Sequence, residues 1–154
     1  MDVMNIEDKK WYEKPYYQTK ISVQETIADI KGLLMKYKVE AIQETTLKNR
    51  IILRFALKED DRLLPFEFDI NLPERDQHKG KRKQKQFARA YYYYLKSKIE
   101  MIKDFNIKSF KDEFMGSRLL KLPNGQMRRL EDIVKDQENK LKYAHDFYLP
   151  FKEV

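Results

Sequence analysis

The chain has 154 residues, a net charge of +7 and no cysteine. That length suits one domain with a real core and is short for two; the lack of thiols excludes disulfide frameworks and thiolate metal sites and suits a reducing, cytoplasmic compartment. The first 20 residues lack the basic-then-apolar order of a signal peptide and no run approaches a membrane span, so a soluble protein with no membrane partner is expected.

Residues 1–20 read as an aromatic N-terminal arm, 21–150 as a single α+β domain and 151–154 as a C-terminal tail. The arm carries Trp11, Tyr12, Tyr16 and Tyr17 among charges without a helical or strand period. Rings in that number are foreign to a free tail, so the arm either packs onto its own domain or grips a partner. Ser22 with Glu25 forms a capping box, which predicts a helix from Val23 to about Tyr37 with Val23, Ile27, Ile30, Leu34 and Tyr37 on one stripe. Gln24, Asp29, Lys31 and Lys36 are expected in water, and Gly32 is read as a point of close packing.

From Val39 the apolar period changes to two. Ile51, Leu53, Phe55 and Leu57 alternate with polar residues, as do Leu64, Phe66, Phe68 and Ile70 after the turn at Asp60 and Asp61. Pairing residues whose numbers sum to 121 sets Phe55 opposite Phe66 on the apolar face and Arg54 opposite Glu67 on the other. Pro65 places its strand at an edge or marks where that strand begins. With a first strand at about Val39 to Thr45, the expectation is a three-stranded antiparallel meander packed against helices, in the order α-β-β-β-α-α-α. Beyond the polar connector 71–81, a long helix is predicted from Arg82 to Phe105. A short capped helix after Ser109 holds Phe110, Phe114 and Leu119; a Leu122-Pro123-Asn124-Gly125 turn and a last helix with Leu130, Val134, Leu141 and Ala144 follow.

Charge is concentrated. Residues 1–78 hold 13 cations against 15 acids, residues 79–154 hold 19 against 10, and in 79–103 nine cations meet the single acid Glu100. Such a stretch suits a phosphate polyanion, since releasing its counterions favours binding; a solvated helix face is the competing reading. In the long helix, centring Ala88, Tyr92, Leu95, Ile99 and Ile102 on the core leaves Arg82, Lys85, Gln86, Arg89, Tyr93, Lys96, Glu100 and Lys103 outward. Tyr93 then stands among cations, where a base could stack while Arg82, Lys85, Arg89, Lys96 and Lys103 follow phosphates. Alternatively Tyr93 packs against the arginine or meets the arm.

His78 and His145 lack a second ligand at metal spacing, and no cofactor, metal or catalytic set is expected. Glu67 and Asp69 share a strand face, as the carboxylates of a metal-dependent nuclease do, but no Glu-x-Lys follows on an adjacent strand. The segments KISVQETIADIKGLLMKY, LLPFEFDINLP, KQKQFARAYYYYLKSKIEMIKDFNIKSFKDEF and LPNG, within residues 19–130, resemble a group of small proteins of phages, prophages and archaeal mobile elements. That resemblance implies a setting in which nucleic acid is handled and supplies no catalytic residues. The sequence therefore points to a non-enzymatic protein that binds single-stranded DNA or RNA with little sequence preference. The alternative is an interaction or self-assembling factor acting through Trp11, Tyr12, Tyr16, Tyr17, Phe147, Tyr148 and Phe151, as a homo-oligomer or on another protein.

Overall fold

The computed structural model describes residues 10–75 and 82–138. Helix α1 spans Val23–Lys36, strands β1, β2 and β3 span Val39–Leu47, Arg50–Glu59 and Arg62–Asn71, and helices α2 and α3 span Arg82–Phe105 and Phe110–Glu113. A small hairpin of β4 (Leu119–Lys121) and β5 (Met127–Arg129) follows, and α4 covers Leu130–Gln137. The class is α+β, as expected, but the β4–β5 hairpin stands where only a turn was predicted, and Leu119 belongs to β4 rather than to a helix. Strands of three residues are too short to display a period.

The sheet order is β1-β2-β3, antiparallel throughout. The β2–β3 register follows the predicted sum, with Leu57 opposite Leu64, Phe55 opposite Phe66, Leu53 opposite Phe68 and Ile51 opposite Ile70. Asp60 and Asp61 both adopt positive φ, 47° and 64°, as a two-residue hairpin turn between twisted strands requires. Pro65 lies on an edge strand, whose outer side is touched at one bridge, Phe66 to Arg118. Each of the three strands reverses the chain, so α2 runs in the same direction as α1. Gln24 and Gln84 accordingly line one cleft at the start of both helices, and Lys36 and Lys103 line another at their ends.

Helices α1 to α3 cover the apolar sheet face. Ser22 caps α1 by accepting from the Glu25 N–H at 3.1 Å, and Val23, Ile27, Ile30 and Leu34 are buried. An aromatic cluster closes the centre: Phe55 lies 5.6 Å from Phe66 and 4.9 Å from Phe68, and Phe110 lies 4.5 Å from Phe114. Ser109 caps α3 and so fixes Phe110 over the sheet. Gly32, in contrast to expectation, has nothing within 4 Å of the place a Cβ would occupy, so no close packing demands it. Among the described residues no helix is long and apolar enough to cross a membrane.

Candidate nucleic-acid interface

Helix α2 sorts its four tyrosines into two environments. Tyr91 and Tyr92 pack against the core, whereas Tyr93 and Tyr94 are exposed. Burial raises the Tyr91 phenol well above its ordinary range, with the charges of Tyr94 and Glu131 adding to the effect. Phe87, Tyr94 and Met101 are open to solvent.

Arg89 departs most from the sequence expectation. It is only 6% exposed and donates through Nη2 to Asp29 Oδ2 of α1 at 2.7 Å, with its guanidinium 4.8 Å from the Tyr92 ring. It is therefore removed from the set of phosphate contacts. A helical wheel of α2 treats the sheet as its single neighbour; the parallel helix α1 alongside it brings in Asp29, exposed as foreseen yet within reach of the guanidinium.

Tyr93 does not stand alone among cations. Tyr16 of the arm lies on it with ring centroids 5.1 Å apart and planes 16° from parallel, leaving Tyr93 41% exposed. Gln86, assigned to the outward arc, is buried beneath the same arm. Its Nε2 donates to the main-chain carbonyls of Trp11 at 2.8 Å, Pro15 at 2.9 Å and Lys14 at 3.3 Å. Two amide hydrogens thus serve three acceptors, which fixes the arm's backbone to α2. The backbone at Trp11 and the Tyr16 ring thus contact the chain's own α2, while Tyr12, Tyr16 and Tyr17 all remain exposed, at 42%, 41% and 38%. Phe147, Tyr148 and Phe151, like His78 and His145, lie outside the described residues.

The other predicted cations keep their place. Arg82, Lys85 and Lys103 have no ion-pair partner among the described residues, and Lys96 meets Glu100 at 3.8 Å, a contact of the weak i,i+4 kind. Lys85, Lys96 and Lys103 follow one line of the helix over about 27 Å, at 1.5 Å rise per residue. Lys98 is bound elsewhere: its hydrogen bond to Glu113, then the Glu113 charge, raise its pKa.

At the far end of that line a cleft of about 390 Å³ opens between α1, β2, α2 and α3. Lys36, Lys38, Lys58, Lys103 and Lys111 surround it over a floor of Leu57, Ile102 and Phe110, and Glu59 is its one acid. None of the five lysines has an ion-pair partner among the described residues. Tyr37, stacked on Phe110 at 5.1 Å, also lines it; burial first and the Glu59 charge second raise its pKa, so the phenol stays a donor. Sequence reasoning found Lys103 and missed the rest, because four separate segments converge here.

Glu67 and Asp69 share a face as predicted, but arginines hold them. Arg54 Nε meets Glu67 at 2.7 Å, and Arg50 binds Asp69 through Nε and Nη2, each at 2.7 Å. Arg129, which no sequence signal had marked, reaches Glu67 at 3.5 Å and Asp69 at 3.4 Å and also pairs with Glu131 and Asp132. Such a network compensates the charge that a nuclease would leave for metal ions. Among the described residues no group of three metal-ligating side chains occurs. Comparison with protein-family models, with curated proteins and with solved structures gives no match for this chain.

Proposed function

We propose that the chain binds single-stranded nucleic acid, with little sequence preference, along the outer line of α2. Lys85, Lys96 and Lys103, with Arg82 at the start of the helix, contact successive phosphates. Support comes chiefly from one observation, the straight run of weakly paired or unpaired cations on a helix whose remaining arginine, Arg89, is already paired with Asp29. The Tyr16–Tyr93 pair stands beside this line and offers a base a ring to stack on. The phage and mobile-element setting implied by the resemblance suits such an activity.

Fluorescence anisotropy of a labelled oligonucleotide at several salt concentrations tests it. Replacing two phosphate contacts in Lys85→Glu/Lys96→Glu should weaken binding and reduce the salt slope by roughly 1.4, at about 0.7 per single-strand phosphate. Wild-type affinity that ignores salt, or a double variant that binds as the wild type does, removes the assignment.

A second reading, self-association, rests on a different feature. Phe87, Tyr94 and Met101 are exposed at a spacing of seven on α2, the repeat of a helix–helix seam. Light scattering across a concentration series distinguishes it: a dimer abolished by Tyr94→Lys/Met101→Lys supports the seam, and a monomer throughout dismisses it.

A further inference from the structure

The lysine-lined cleft has a charge balance that the fold alone does not explain. Its five lysines face Glu59 and the ends of two parallel helices, α1 and α2, each carrying roughly half a negative charge, which leaves about +3 uncompensated. Some lysines elsewhere meet acids, as Lys31 does Glu44 at 2.8 Å and Lys98 does Glu113 at 2.9 Å, whereas the five of the cleft converge on one space with Glu59 alone. Gathering like charges from distant segments opposes folding. An anion in the cleft offsets that repulsion.

Two residues of the wall add a second argument. Lys38 and Asn106 end α1 and α2 in the left-handed region, with φ of 76° and 54°. Glycine is the usual occupant of such a position and asparagine the next, so Asn106 is ordinary there while Lys38 carries an unfavourable backbone. The cleft also has an apolar floor and the size of a small-ligand site, so it suits an anion attached to a carbon skeleton better than a bare inorganic ion.

We propose that this cleft binds a phosphomonoester, carried either on the end of a nucleic-acid strand or on a free nucleotide. A monoester bears a charge of about −1.5 to −2 at neutral pH, whereas an internal phosphodiester bears one, so five lysines favour the end over the middle of a strand. The Tyr37 hydroxyl and the Asn106 amide supply directional donors, and Leu57 and Ile102 meet the sugar or base. The strand-end form rests on the function proposed above; the nucleotide form does not.

The test compares oligonucleotides of one sequence with a 5′-phosphate, a 3′-phosphate or hydroxyls at both ends, alongside adenosine 5′-monophosphate and adenosine followed by calorimetry. A strand phosphorylated at one end should bind roughly tenfold tighter than the hydroxyl strand, the scale of one or two charge-assisted hydrogen bonds. Lys58→Gln/Lys111→Gln should bring that ratio to about one, and Lys85→Glu/Lys96→Glu should weaken every strand while keeping the ratio. Binding of the monophosphate without binding of any strand retires the strand function and leaves the cleft a nucleotide site. Equal binding of all three strands together with no preference for the monophosphate overturns the cleft alone. Lys38→Gly separates ligand binding from folding: a ratio that falls while the melting temperature holds or rises supports the proposal, and a lower melting temperature with the ratio intact assigns the lysines to the helix ends.

Discussion

Replacing Arg89 decides whether α2 is ordered as described. The Arg89 side chain is 7% exposed and that of Asp29 is 47% exposed, so the two partners have unequal fates when the pair is broken. In Arg89→Met the stem still fills its place and Asp29 regains water, so the full penalty for an orphaned buried charge does not apply. The loss is one charge-assisted hydrogen bond and the contacts with Tyr92 and Tyr93, offset in part because the buried Nε, which has no hydrogen-bond partner, is removed as well. About 1–2 kcal/mol of destabilisation is expected. Arg89→Glu is a different perturbation, since it sets a carboxylate in a nearly closed site facing Asp29, the acid that Arg89 now binds; a loss of more than about 4 kcal/mol follows. Chemical denaturation of both variants, of Asp29→Asn and of the Arg89→Met/Asp29→Asn double variant yields the stabilities and their coupling. An Arg89→Glu protein with wild-type stability and weakened oligonucleotide binding would refute this account and return Arg89 to the solvent face.

Three further perturbations probe other parts of the molecule. Gly32→Ala in α1, where a Cβ meets nothing within 4 Å, should stabilise the fold by about 0.5–1 kcal/mol, seen as a higher denaturation midpoint; a lower one would place an unseen neighbour there. Gln86→Leu should free the carbonyls of Trp11, Lys14 and Pro15, so hydrogen exchange in residues 11–18 should accelerate while α1 and β2 keep their protection, and unchanged exchange would show that the ring stack alone holds the arm. For Tyr91, the unfolded chain releases its proton near pH 10.0, as an ordinary phenol does, while the folded phenol, raised by burial, keeps it. Its contribution to stability is therefore complete below about pH 10 and falls as pH climbs toward the folded value, so Tyr91→Phe should flatten the alkaline end of the stability profile, and a profile parallel to wild type would contradict the burial.

Local pattern carried the sheet. A period of two on both strands and the Arg54–Glu67 complement left a single sensible register, because a shift by one residue would have turned Phe55 and Phe66 outward. Ser22 and Ser109 marked helix starts through the same local chemistry. The interface was less legible, since its decisive contacts join residues far apart in the chain. Asp29 and Arg89 are separated by 60 positions and Gln86 and Trp11 by 75, and neither pair follows from the period of its own helix. Arg129 reads as an ordinary cation until β5 is set beside β3, and the lysine-lined cleft exists only once α1 and α2 are known to end together.

The sheet also has an unequal pair of flanks. One flank, β3, is partly shielded where Arg118 bridges to Phe66, while β1 has no strand on its outer side among the described residues. Its hydrogen-bonding row could template growth onto another extended peptide, a hazard common to proteins with open sheets. Glu40 and Glu44 stand on that strand, Glu44 already held by Lys31 at 2.8 Å, so an acidic intruder would meet like charge at Glu40 and an apolar one would have to strip water from it.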